Sequence, residues 1–185
     1  MRITAALDET VLTGPWPREA GMSFEDLCRA HERRVLRVAW RMLGRLADAE
    51  DVSQEVFLRL HRHYSKLDLT ERSLAAWLYQ VTLNVCRDHL RRARPVTEWN
   101  EDAHRSLQPT PEAAAVAAQQ RDRLAEAILQ LPEKERAALV LREIEGLTSA
   151  EAAAILGSSE VTVRTQVHSA KAKLRSLLAL GGLVR

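Results

Sequence analysis

The sequence predicts an all-α chain of two small helical bundles joined by a linker, with a helix-turn-helix in the second bundle. Apolar residues recur at three- and four-residue steps from residue 23 onward, which is the period of one buried helix face. Ala, Leu, Arg and Glu, all strong helix formers, dominate a chain with 46% hydrophobic residues and only 7 Gly. A stretch holding Pro95, Pro109 and Pro111 with several carboxylates interrupts that period and divides the chain.

Residues 1–22 show no sustained period and contain Gly14-Pro15-Trp16-Pro17, so a loosely ordered leader is expected there. Ser23 and Asp26 are spaced as a capping box, and Phe24, Leu27, His31, Val35, Val38, Ala39, Met42 and Leu46 recur at three- and four-residue steps as the stripe of a first helix ending near Gly44. A second helix is expected to open at Asp48, whose carboxylate suits the orphan amides of a helix start, and to run through Val52, Val56 and Leu60 to about Tyr64. After residues 65–70, with Thr70 as N-cap, a third helix carries Leu74, Trp77, Leu78, Val81 and Val85 and stops before Pro95. These three helices make the first bundle, residues 23–94, and residues 95–120 are the expected linker with a short helical end.

In the second unit, residues 121–185, helical signals resume at Arg121, restart at Pro132 and stop at Gly146. Thr148 and Glu151 then form a second capping box before a short helix with Ala152, Ala153, Ile155 and Leu156, and Gly157-Ser158-Ser159 makes a tight turn. Val163, Val167, Ala170 and Leu174 follow at steps of four, three and four on one face of a longer helix. Opposite that face lie Glu160, Thr162, Arg164, Thr165, Gln166, His168, Ser169, Lys171 and Lys173, a mixture suited to base edges and phosphates. A helical hairpin that only packs is the plainer reading of the same pattern.

The formal net charge is only +2, so attraction to a polyanion depends on where the basic residues sit. Residues 23–93 carry net +3, residues 94–120 net −2 and residues 159–185 net +4. On the second helix Asp48, Glu50, Asp51 and Glu55 crowd around Gln54, an acidic face that seeks a basic partner. On the third, Asn84, Asp88 and Arg91 lie at i, i+4 and i+7, with Arg87, Arg92 and Arg94 nearby to meet phosphates.

The run Ala49–Leu60 (AEDVSQEVFLRL), the run Trp77–Arg92 (WLYQVTLNVCRDHLRR) and the run Leu131–Arg175, which opens LPEKERAALV, together resemble bacterial sigma factors of the extracytoplasmic-function (ECF) group of the sigma-70 family. The resemblance covers roughly residues 23–180 and makes residues 23–94 region 2-like and residues 121–185 region 4-like. It implies an alternative sigma factor that binds RNA polymerase core, recognises minus-10 and minus-35 promoter elements, opens DNA and starts transcription. Asp48, Asp51, Gln54 and Glu55 would grip the β′ coiled coil of the polymerase, with the β subunit a further contact. Gln80, Asn84, Arg87, Asp88, Arg91 and Arg92, with the loop 65–73, would handle the minus-10 element, where an unstacked base needs a pocket rather than catalytic groups.

The nine polar residues of the last helix would meet the minus-35 element in the major groove, and the acidic linker would thread toward the polymerase cleft. An anti-sigma factor is an implied partner. The chain departs from the family in Val161, where a Gly often precedes the Thr-Val pair, and in Gln166 and Ser169, where Arg is frequent.

Enzyme chemistry finds no foothold: GxxxxGK[ST], GxGxxG, HExxH and GxSxG are all missing, and neither cofactor nor metal is expected. His61 and His63 point in different directions on a helix, and Cys28-x-x-His31 reads as a packing pair. Cys28 and Cys86 are expected as buried, reduced thiols in a cytoplasmic protein, since no apolar run reaches membrane-span length. A helix-turn-helix regulator with an N-terminal interaction domain is the competing reading. It accounts for residues 148–175 but leaves the acidic second helix unused. A purely protein-binding helical module is the third.

Overall fold

The computed structural model describes residues 24–63, 71–92 and 113–180, and all regular structure among them is helical. The leader 1–22, the Ser23 and Thr70 caps, Tyr64, Arg94 and most of the linker lie outside the described residues.

Helix α1 (Phe24–Leu43) buries Leu27, His31, Val35, Val38, Ala39 and Met42 of the apolar stripe, while Phe24 is half-buried. Leu46, placed on the same stripe by its spacing, belongs to the next helix and is exposed because Gly44 turns the chain between them. Gly44 ends α1 with φ +81°, a conformation open to glycine because a Cβ would collide with the neighbouring carbonyl, and its amide returns to the Trp40 carbonyl at 2.7 Å. Helix α2 (Leu46–His63) begins ahead of the expected start at Asp48. The Arg45 carbonyl already accepts the Ala49 amide at 3.1 Å, so Asp48 lies within the first turn rather than before it. Helix α3 (Glu71–Arg92) completes the bundle, its buried Leu74, Leu78, Leu83 and Cys86 joining Val52, Val56 and Leu60 of α2 in one core.

The second bundle opens with α4 (Ala113–Leu129), which joins the short helical end expected of the linker to the helix expected from Arg121. Its Ala-rich opening carries helix on propensity alone. After Pro132, α5 (Glu133–Leu139) widens into a π-helical turn, Val140–Ile144, in which the Glu145 amide reaches back to the Val140 carbonyl at 2.9 Å. Helices α6 (Ser149–Leu156) and α7 (Glu160–Leu180) complete the unit.

Buried apolar side chains of both bundles form one continuous cluster, with α1 packed on α4 and α5, and α3 on α6. Polar groups fix this junction. Arg37 on α1 donates to both carboxylate oxygens of Glu145, and the Tyr79 hydroxyl on α3 donates to one of them at 2.9 Å. Arg87 on α3 pairs with Glu133 at 2.7 Å. The part-buried Arg136 guanidinium donates to the carbonyls of Met42, Leu129 and Leu131, which satisfies carbonyls orphaned near the ends of α1 and α4.

Cys86 is buried and its thiol is pushed up to about 12 by desolvation. Cys28 is only half-buried, contrary to expectation, and burial together with Glu32 and Glu25 also raises its pKa. Both thiols are free and held in the neutral form.

Candidate nucleic-acid and protein interfaces

The helix-turn-helix is built by local chemistry. The Thr148 hydroxyl accepts the Glu151 amide at 3.2 Å while the Glu151 carboxylate accepts the Thr148 amide at 2.5 Å, the reciprocal cap read from the sequence. Gly157 adopts φ +62°, which lets the Ser158 amide close on the Ala153 carbonyl at 3.0 Å and turns the chain sharply. Ser159 then caps α7, its hydroxyl accepting the Thr162 amide at 3.1 Å. Ala152, Ala153 and Ile155 of α6 and Val163, Val167, Ala170 and Leu174 of α7 are buried, so close approach of two short-side-chain faces orients α7.

What α7 leaves open is narrower than the nine residues singled out from sequence. Glu160, Thr162, Arg164, Thr165 and His168 are exposed, with Arg164 bound to Glu160 at 3.2 Å. Ser169 and Lys173 instead turn toward α5, where Glu135 accepts from them at 3.1 and 2.7 Å. Lys171 pairs with Glu143 at 2.7 Å, and Gln166 is half-buried. Two further residues complete the open face: Val161, named from sequence only as a departure from the family, and Arg175, which follows His168 by two turns. Arg175 was legible by spacing, since seven residues bring a helix face back almost to the same direction.

On α2, Asp51 and Gln54 are exposed and Glu55 is half-exposed, held by Arg59 at 2.8 Å. Asp48 is less available. Its oxygens lie 3.8 Å from Arg45 and 3.6 Å from His89 of α3, so it ties two helices of the bundle together. Leu58, 53% exposed, follows Gln54 and Glu55 by one turn and gives this acidic face an apolar centre that charge patterning does not reveal.

On α3, Asn84, Arg91 and Arg92 are exposed, and Asp88 lies 4.0 Å from Arg91, so the predicted i, i+4, i+7 face is formed. Gln80 is half-buried. Arg87 takes another direction, donating to Glu133 at 2.7 Å and to the Asn84 side-chain carbonyl at 2.9 Å.

Residues 27–96 match the family model for sigma-70 region 2, and residues 121–174 match that for sigma-70 region 4. The ECF RNA polymerase sigma factor SigE of Mycolicibacterium smegmatis is 36% identical over 161 residues, covering 85% of this chain. The ECF RNA polymerase sigma factor SigM of Mycobacterium tuberculosis is 33% identical over 158 residues, covering 84% of this chain and 77% of SigM. The chain belongs to the ECF group of sigma-70 factors. It spans 62% of that SigE's length. Among solved structures, CnrH in complex with the cytosolic domain of CnrY is similar at TM-score 0.63 and 27% identity, covering 85% of this chain and 88% of CnrH. RpoE of Bartonella quintana, solved with the anti-sigma factor NepR, shares the fold at TM-score 0.68 and 19% identity, covering 88% of this chain and 98% of RpoE.

The two region models fall on the two bundles and leave residues 97–120 between them unmatched. No helix among the described residues is long and apolar enough to cross a membrane.

Proposed function

We propose that this ECF factor is an alternative sigma subunit that binds RNA polymerase core in the cytoplasm and directs it to promoters by their minus-10 and minus-35 elements, without catalysing a reaction itself. One observation carries the reading: α7 presents Arg164, Thr165 and His168 to solvent from a capped, tightly turned helix pair while α2 keeps Asp51 and Gln54 open. A DNA reader needs the first surface, and only a factor that must also seize a cationic partner needs the second.

In this reading Asp51, Gln54, Glu55 and Leu58 meet the β′ coiled coil, and Asp48 acts by holding α2 against α3. Asn84, Asp88, Arg91 and Arg92 face the minus-10 element, with Gln80 at the edge of that surface. Arg87 reaches phosphate only after releasing Glu133, which couples minus-10 binding to separation of the bundles. Arg164, Thr165 and His168 lie toward minus-35 base edges, with Thr162 and Glu160 at the helix start. Ser169, Lys171 and Lys173 flank them and reach phosphate only on leaving Glu135 and Glu143. An anti-sigma factor, the kind of partner with which RpoE was solved, is the expected inhibitor.

Run-off transcription with purified core enzyme across a broad promoter library tests this. A discrete set of promoters transcribed only when the chain is added is the expected result. Tight operator binding by the chain alone, with no core-dependent transcript, would replace this reading with that of a helix-turn-helix regulator.

A further inference from the structure

Val161 is 68% exposed, the most exposed of the large apolar side chains among the described residues, and it stands in the first turn of α7 where a recognition helix meets base edges. Its neighbours sharpen the point. The Thr165 hydroxyl, one turn on, donates to the Val161 carbonyl at 2.9 Å, so the polar atom is engaged along the helix. Thr162 and Ser159 share a hydrogen bond of 2.8 Å between their hydroxyls, and Arg164 donates to the Glu160 carboxylate at 3.2 Å. The polar groups around Val161 are thus partly consumed locally, while an isopropyl group and a threonine methyl remain on the outer ridge.

An exposed apolar ridge flanked by the Arg164–Glu160 pair is not suited to an apolar protein groove, because both charges would be desolvated with it. It does suit the major groove, where cations meet phosphate and one base offers a carbon surface, the 5-methyl of thymine. Residues four apart on a helix face lie about 5–6 Å apart at Cβ, enough to address neighbouring base pairs.

We infer that Val161 and the Thr165 methyl read thymine 5-methyl groups in the minus-35 element, making Val161 a specificity-determining residue. The inference rests on the sigma-factor reading and adds the chemistry by which its DNA-facing helix selects sequence.

The test uses holoenzyme reconstituted from core and the full chain on a promoter recovered from the library, with each minus-35 thymine on either strand replaced singly by deoxyuridine. Deoxyuridine keeps every hydrogen bond and removes only the methyl. At one position or two adjacent ones, open-complex formation should fall about fourfold, the effect of one methyl no longer buried. Val161→Ala should show a similar loss on the thymine promoter and little further loss with deoxyuridine at those positions. Full activity with deoxyuridine at every position, an undiminished deoxyuridine penalty in Val161→Ala, or a minus-35 element without thymine overturns the inference and leaves the sigma reading standing. Absence of any core-dependent transcript overturns both.

Discussion

Arg37 and Glu145 join the two bundles through a two-pronged ion pair, with Arg37 Nε and Nη2 each 2.8 Å from a separate carboxylate oxygen of Glu145. The partners are unequally buried. The Glu145 side chain is 1% exposed and that of Arg37 46%. Removing the guanidinium therefore strands a carboxylate away from water, whereas removing the carboxylate leaves a cation that water can reach. Arg37→Ala should cost about 3 kcal/mol of stability and Glu145→Ala about 1 kcal/mol, read by urea denaturation of the full chain. The double variant Arg37→Ala/Glu145→Ala should be more stable than Arg37→Ala alone; the opposite ranking would show that the pair does not govern the junction.

Gly44 is constrained twice. Its φ of +81° disfavours any side chain, and an added Cβ would lie 2.3 Å from Leu129 Cδ1 of α4. Gly44→Ala should cost about 2–3 kcal/mol, of which the backbone share is about 1 kcal/mol. Placing Leu129→Ala in the Gly44→Ala chain should lessen the penalty of the glycine change, as judged by thermal melts of the four chains. Strict additivity would place the whole effect in the backbone.

His31 supplies the acid sensitivity of the first bundle. Burial, with Arg34 nearby, lowers its pKa from 6.5 to about 4. The unfolded chain consequently binds a proton that the folded chain refuses between those values, so this contribution is complete above pH 6.5 and lost as pH falls toward 4. Wild type should lose about 2 kcal/mol from this source between pH 7.5 and pH 5. His31→Gln should lose correspondingly less over the same interval, measured by urea midpoints; identical pH profiles would assign the acid sensitivity to other groups.

Separate surfaces predict separable defects. Arg164→Ala should reduce transcription from a promoter dependent on its minus-35 element about tenfold while leaving affinity for core unchanged, measured by run-off assay and fluorescence anisotropy. Asp51→Arg should do the reverse, weakening core binding at least tenfold. Equal loss of both properties in the Arg164 variant would remove its assignment to DNA.

The helices and their buried faces were readable because local physics writes them directly. His31, Val35 and Val38 fall on one stripe, and the Thr148–Glu151 cap needs only a hydroxyl and a carboxylate three residues apart. A helix start without such chemistry is not readable: α2 begins at Leu46, ahead of the Asp48 carboxylate that marks a start in the sequence, whereas the alanine run that opens α4 is legible as a helical end to the linker. The α7 site was legible as a face but not as a set of free side chains. Nothing near Ser169 or Lys173 announces Glu135, which is distant in sequence and meets them only when α5 packs on α7. Arg37 and Glu145 were illegible for the same reason, each looking like an ordinary solvated charge until the bundles meet.

The π-helical turn at Val140–Ile144 bears on how this molecule can diverge. A turn closed by five residues in place of four rotates everything after it by about 100° relative to an uninterrupted α-helix. The azimuth at which Glu145 meets Arg37, and with it the heading of the DNA-facing hairpin, is therefore encoded by chain length at one spot rather than by any side chain there. Loss of a single residue there would swing the hairpin to a different bearing in one step.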